Sequence, residues 1–320
     1  MSYNAVGTPT FYCDAVLLAR QWGAITTSTS DRGKYYLNPT KVTPHTTSDT
    51  SGLLHIHIDF AQRYWCNSIS HLFILGHNLL SDSMTVGVKI EKVDEDGSGG
   101  DTTPLLGAIT PTINGWSMFP ITKEDGVDRR RLTTTFSSGT VFDKDFSLGD
   151  ISAGWSFKMP HSPDLQLTQT IDNESVKSQN TKGGHTLTSS SYNQQAGWIK
   201  PAWSKGTSSA TSFNNDNFKV FPSGRRSWNL KFSYINQESL FPEEYNSSYG
   251  IFDGTAGVFS IKDNFHSKIM MGTNNFQLPF IFQPNSEVEE YAICRVVNKP
   301  SFNQVANNVY DTSLDLVEVF

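Results

Sequence analysis

Few residues in this chain have the types and spacing that chemistry requires. The sharpest set is His55-x-His57-x-Asp59. Residues i, i+2 and i+4 of a strand share one face, and two histidines placed so can both reach a zinc ion. A catalytic zinc site also needs a third ligand, an open coordination position and groups that orient the ligands. None of these is evident, so the triplet reads as the polar outer face of an amphipathic strand, with Asp59 toward solvent.

Other candidates weaken in the same way. Residues 91–101 gather oxygen ligands of the kind calcium takes, but the helix-flanked twelve-residue pattern and its closing bidentate Glu are absent. That stretch reads as a solvated hairpin loop. Arg129-Arg130-Arg131 could contact phosphate or a sugar acid; a solvated face or a salt bridge between subunits is the plainer reading. Glu243-Glu244 and Glu289-Glu290 are adjacent pairs, which point opposite ways on a strand, so they read as surface charge rather than a glycosidase acid pair. Thr181-Lys182-Gly183-Gly184-His185 lacks the GxxxxGK[ST] pattern of a phosphate loop, and His71 and His77 fall on a strand and a turn. There is no Gly-x-Ser-x-Gly elbow, His-Glu-x-x-His, kinase set or dinucleotide fingerprint. No catalytic, cofactor-binding or metal-binding residue is assigned. The chain is expected not to be an enzyme and to need no cofactor.

Composition narrows the class. The charged fraction is 18% against 37% hydrophobic, and turn-forming residues are plentiful, which suits an all-β protein. Its 21 Phe, 11 Tyr and 7 Trp are enough large side chains for two sandwich cores, and 320 residues suit two domains. A formal charge of −6 offers no general attraction to nucleic acid or anionic lipid. Cys13, Cys66 and Cys294 have no CxxC spacing and read as buried free thiols of a reducing cytoplasm. The N-terminus shows no secretory signal, and no apolar run approaches the ~20 residues that span a membrane. A soluble protein is expected.

The elements follow from the alternation. Leu54, Ile56, Ile58 and Phe60 alternate with polar neighbours, whereas residues 70–75 are apolar on both parities, as in a central buried strand. A turn at Gly76-His77-Asn78 precedes another strand over residues 84–91. Residues 153–160 start a new unit, and a long polar stretch spans 171–191. In Arg225-Arg226-Ser227-Trp228-Asn229-Leu230-Lys231-Phe232-Ser233-Tyr234, one parity (Trp228, Leu230, Phe232, Tyr234) is predicted to face the core. A short helix is expected with Asp263 as N-cap and Gly272 as stop. The proline-bounded run Leu278-Pro279-Phe280-Ile281-Phe282-Gln283-Pro284 suits an edge or terminal strand. Strands over residues 291–297 and 309–320 close the chain.

An Arg-x-Trp-x-Leu-x-Phe strand, a helix, a Pro-Phe-x-Phe strand, a Cys-Arg strand and an acidic closing strand, in this order, resemble the ring-forming domain of long-tailed bacteriophage tails. Distal tail proteins and related minor tail proteins share that domain. Arg225-Arg226-Ser227-Trp228, Pro279-Phe280-Ile281-Phe282-Gln283-Pro284 and Gln304-Val305-Ala306-Asn307 are most similar to tail proteins of marine and cyanobacterial phages. The first half, with its strand and Gly-His-Asn-Leu turn, is similar to galactose-binding-like jelly-roll domains appended to such proteins. These resemblances imply a peripheral jelly-roll β-sandwich over residues 1–152 and a ring-forming β-sandwich or split barrel with one short helix over 153–320. They imply a virion structural protein, assembled in the host cytoplasm. It would form a ring, a hexamer, at the distal end of the tail tube and contact the tube, the baseplate or tail tip, and receptor-binding proteins. Neither nucleic acid nor membrane is an expected partner. The alternative is a carbohydrate-binding module that adheres to host glycans, with Trp65 or Trp116 stacking on sugar rings.

Overall fold

The computed structural model describes residues 6–21, 25–27, 43–45, 53–60, 69–77, 79, 84–93, 99–111, 115–121, 131–137, 146–148, 150–164, 168–172, 176–190, 225–241 and 263–319. Over these the chain is an all-β protein of antiparallel sheets. The strands of the first half are β1 (Thr10–Tyr12), β2 (Ile25–Thr27), β3 (Thr43–His45), β4 (Leu53–Phe60), β5 (His71–His77), β6 (Thr85–Val93), β7 (Gly99–Ile109), β8 (Gly115–Pro120), β9 (Arg131–Ser137) and β10 (Phe146–Leu148). Then follow β11 (Asp150–Gly154), β12 (Ser156–Lys158), β13 (Thr168–Asp172), β14 (Val176–Asn180) and β15 (Thr186–Ser190). The last are β16 (Arg225–Asn236), β17 (Phe280–Gln283), β18 (Ala292–Val296), β19 (Ser301–Ala306) and β20 (Val309–Glu318). Helices α1 (Ala15–Gln21) and α2 (Gln237–Leu240) and a π-helical turn, His266–Met270, complete the description.

Three sheets carry the fold. A five-stranded sheet runs β2-β4-β9-β6-β7 and a three-stranded one β11-β5-β8. The largest has eight strands, in the order β12-β1-β17-β18-β20-β16-β13 with β19 also paired to β20. Strand β5 is apolar on both parities because both its faces are buried. Leu72 and Ile74 join the main core with Ile56, Val86 and Leu132 of the five-stranded sheet. Phe73 and Leu75 instead pack with Tyr12, Ile281 and Ile293 of the large sheet. Burying such side chains stabilises by about 1.5–3 kcal/mol each relative to exposure.

The chain passes from the small sheet to the large one at Trp155, between β11 and β12. Here Cys13 N donates to the Trp155 carbonyl at 2.9 Å and Ser70 N to the Gly154 carbonyl at 2.7 Å. Gly154 is required: a Cβ there would collide with the Cys13 carbonyl oxygen. Strand β1 does not stay with the first half. It lies between β12 and β17 in the large sheet, with Phe11 opposite both Phe157 and Phe282. The strand pairing thus crosses a division at residue 152.

Three expectations for the last third are corrected. Strand β17 is neither an edge nor a terminus; it is central, between β1 and β18. Pro279 and Pro284 sit just outside the paired residues, so neither removes a ladder hydrogen bond. In β16, Trp228, Leu230 and Phe232 are buried, but Tyr234 is 77% exposed at φ 61°. The register to β20 shifts between Phe232 and Ile235, so a bulge flips the parity and Ile235 takes the inward place. The short helix is a π-helical turn, and Asn264 caps it: its Oδ1 accepts from Ser267 N at 2.8 Å, while Asp263 pairs with Lys268 at 2.7 Å. A Cβ at Gly272 would collide with the Lys268 carbonyl, so glycine does sit where the turn ends.

Candidate functional site

The His55, His57, Asp59 triplet lies on one face of β4, in register with Thr135, Thr133 and Arg131 of β9. His55 Nδ1 meets Thr135 Oγ1 at 3.0 Å, and His57 Nδ1 meets Thr133 Oγ1 at 2.8 Å. Thr133 donates its hydroxyl proton to Glu91 Oε2, so His57 Nδ1 is the donor in its own bond. Lys89 Nζ holds the other Glu91 oxygen at 2.6 Å. Burial pushes Glu91 up, but the Lys89 and Thr133 hydrogen bonds outweigh it and hold the carboxyl below its usual range. Burial, with the nearby Arg131 charge, pushes His57 down, so its imidazole is held neutral.

Asp59 does not face solvent. It is 5% exposed, and Arg131 donates to its two oxygens from Nε at 2.5 Å and Nη2 at 3.0 Å. Arg131 is therefore spent inside the chain rather than on a solvated face or a bridge to another subunit. This face is a ladder of paired polar groups. No group of three His, Cys, Asp or Glu side chains among the described residues is placed to hold a metal ion.

Several other candidates fall outside the described residues: Trp65, Cys66, Arg129, Arg130, Glu243, Glu244 and the middle of the 91–101 stretch. Cys13 and Cys294 are buried free thiols, pushed up by burial and so unreactive. His71 and His77 are buried in β5 and pushed down to about 3 by burial, hence neutral. Glu290 is an ion-pair partner of Arg226 at 2.6 Å, while Glu289 is exposed. Residues 181–185 form the turn of the β14–β15 hairpin, where Thr181 N donates to the His185 carbonyl at 2.8 Å.

What the residues do build is a cleft between the small sheet and the large one. Phe73 and Leu75 of β5 and Trp116 of β8 line one wall; Ile281 of β17, Tyr291, and Ala292 and Ile293 of β18 line the other. Tyr291 stands edge-on to both Trp116 and Phe73, with ring centroids 4.9 and 5.1 Å away. Tyr12 lies beneath and donates its hydroxyl to Gln283 Oε1 at 2.7 Å. Leu75, Ile281 and Ile293 also line an adjoining pocket with Asp14, Asp150 and Ser152. Asp14 caps α1, its Oδ1 accepting from Leu17 N at 2.9 Å. Burial pushes the Asp14 carboxyl up to about 6. Burial and the neighbouring Asp14 charge push Asp150 well above the carboxylate range. The two carboxyls therefore retain protons at pH values where an isolated Asp has lost its own.

The cleft draws on positions 14, 73, 116, 150, 281 and 291. Of these only Trp116 stood out in the sequence. The class that fold and cleft define is an all-β protein with an apolar, aromatic cleft at a sheet–sheet junction. No family model matches the chain, and no curated protein matches it.

Proposed function

We propose that this chain is a structural subunit of a bacteriophage tail. It closes a ring with copies of itself, a hexamer, at the distal end of the tail tube and links it to baseplate or tail-tip components. The observation that carries the reading is the hairpin β14–β15. Among the described residues its strands pair only with each other, and residues 178–188 are all exposed. A lone two-stranded hairpin is at best marginally stable in water, so an arm of this kind is best explained by a partner that receives it. The order of motifs in residues 225–320 supports the same assignment. In this reading the five- and three-stranded sheets form the peripheral jelly roll that holds neighbouring tail parts.

The glycan-binding alternative rests on Trp65, which lies outside the described residues, or on Trp116. Its cleft holds a cavity of about 30 Å³, room for a couple of water molecules rather than a sugar ring. That favours the structural reading. Negative-stain microscopy and light scattering of the purified full chain test it. Closed rings are expected, and deletion of residues 173–191 should leave smaller species. A wild-type chain that stays monomeric, and stands alone in its parent particle, overturns the proposal.

A further inference from the structure

His55 and His57 form a motif that the ring reading leaves unused. They lie on the face of β4 turned away from Ile56 and Ile58, which are buried in the core. We infer that the pair chelates one divalent late transition-metal ion, of the Cu2+, Ni2+ or Zn2+ class, between its two Nε2 atoms, with water in the remaining coordination positions. Such a site is independent of the ring.

Three observations carry it. First, both rings are held by the nitrogen that a metal would not use. Thr133 spends its hydroxyl proton on Glu91, so His57 Nδ1 carries the ring proton and donates it to Thr133 Oγ1 at 2.8 Å. The imidazole is neutral, and its lone pair therefore sits on Nε2, at the far corner of the ring. His55 Nδ1 makes the same contact with Thr135 Oγ1 at 3.0 Å. Metal-binding histidines are ordinarily oriented in this way, by an outer partner on the other ring nitrogen. These are the orienting groups that were not evident in the sequence.

Second, the two Nε2 atoms are available. No hydrogen bond from the described residues reaches either of them, His55 is exposed, and 24% of the His57 side chain is open. The ring centroids lie 5.9 Å apart, with planes 19° from parallel. Two imidazoles that share one ion through bonds of about 2.0–2.1 Å have centroids roughly 5 Å apart, so a turn of the exposed His55 ring that closes about 1 Å brings both lone pairs onto one ion. Third, the surrounding charges do not oppose a cation. Arg131 holds both Asp59 oxygens and Lys89 pairs with Glu91 at 2.6 Å, so the four charges cancel. The same pairing takes both carboxylates out of the ligand set. Two nitrogens remain, and imidazole suits Cu2+, Ni2+ and Zn2+ rather than Mg2+ or Ca2+, with Cu2+ the tightest of the series.

The full-length chain, purified without a histidine tag and stripped of metal, provides the test. Calorimetric titration with Cu2+, and separately with Zn2+, should show one saturable site per chain, tighter for Cu2+. The electron paramagnetic resonance spectrum of the Cu2+ form should show coupling to two imidazole nitrogens. His55→Gln and His57→Gln should each weaken Cu2+ binding by tenfold or more, because a lone histidine lacks a second ligand at high effective concentration. The metal-free His55→Gln protein should melt like the parent. Thr135→Val, which removes the group that orients His55, should weaken binding by roughly tenfold while both nitrogen couplings persist. His185→Gln, at the turn of the β14–β15 hairpin, should bind like the parent. A parent chain with no saturable site, or with coupling to a single nitrogen, overturns the inference. So does Cu2+ binding that survives intact in His55→Gln or is lost in His185→Gln. None of these results bears on ring formation, which microscopy reads separately.

Discussion

Arg226 and Glu318 are joined by three hydrogen bonds inside the large sheet. The Arg226 backbone N and its Nε donate to Glu318 Oε2 at 3.0 and 3.1 Å, and Nη2 donates to Oε1 at 3.0 Å. Arg226 also donates to Glu290 at 2.6 Å and to the Tyr291 carbonyl at 3.1 Å, and its guanidinium lies 5.1 Å from the Trp228 ring centroid. Cys294 stands opposite Glu318 in register. The Arg-x-Trp strand, the Cys-Arg strand and the acidic closing strand, noticed separately as motifs, are thus parts of one buried cluster. It ties β16, β18 and β20 together.

Removing one member should be costly. Arg226→Met leaves Glu318, fully buried, without its counter-charge; the expected loss is about 3–5 kcal/mol. The double variant Arg226→Met/Glu318→Leu should recover most of that loss, because the uncompensated charge is gone. Urea unfolding of the three proteins measures the difference. A single variant as stable as the parent would show that the pair is solvated in the native protein.

Trp228 and Tyr234 share a parity in the sequence but not in the fold. Trp228 is buried, with its ring 5.3 Å from Phe282, and Trp228→Ala should cost about 3–5 kcal/mol through the cavity it leaves. Tyr234 occupies the left-handed region on the surface. Tyr234→Gly should therefore be neutral or stabilise by up to ~1 kcal/mol, since glycine adopts that backbone angle without strain. Paired thermal melts decide it; equal losses at both sites would refute the bulge.

The contrast marks what the sequence could convey. Strand β5 was legible as a doubly buried strand because both parities of residues 72–75 are apolar. The inward set of β4 was equally plain in Ile56, Ile58 and Phe60, all buried. The bulge at Ser233 and Tyr234 left no trace, since a one-residue insertion changes geometry without changing residue type. Strand β1 was also silent: three residues, Thr10 to Tyr12, whose partners in β17 lie some 270 positions away (Tyr12 to Gln283 is a separation of 271). The cleft could not be read at all. Its walls come from six separate segments, and no spacing rule joins Asp14 to Ile293.

Buried titrating groups give the last prediction. The folded-state pKa values of Asp14 and Asp150 are raised, so their contribution to stability is complete below the unfolded value of ~3.9 and is lost as pH rises, through about 6 for Asp14 and through the raised value of Asp150. His71 and His77 act in the opposite sense. Their folded values are lowered to about 3, so their contribution is complete above the unfolded value of ~6.5 and is lost as pH falls below it. The two limbs meet in mildly acidic solution, and maximum stability is expected near pH 6. Asp150→Asn removes one carboxyl of the pair and should lift the alkaline limb by on the order of 1–3 kcal/mol at pH 8, leaving the acid limb in place. His77→Gln should flatten the acid limb instead, and can keep a hydrogen bond to Ser117 Oγ, which lies 2.8 Å from His77 Nε2. Thermal melts from pH 4 to 8 read both arms; a wild-type protein that gains stability steadily up to pH 8 would refute the buried carboxyl pair.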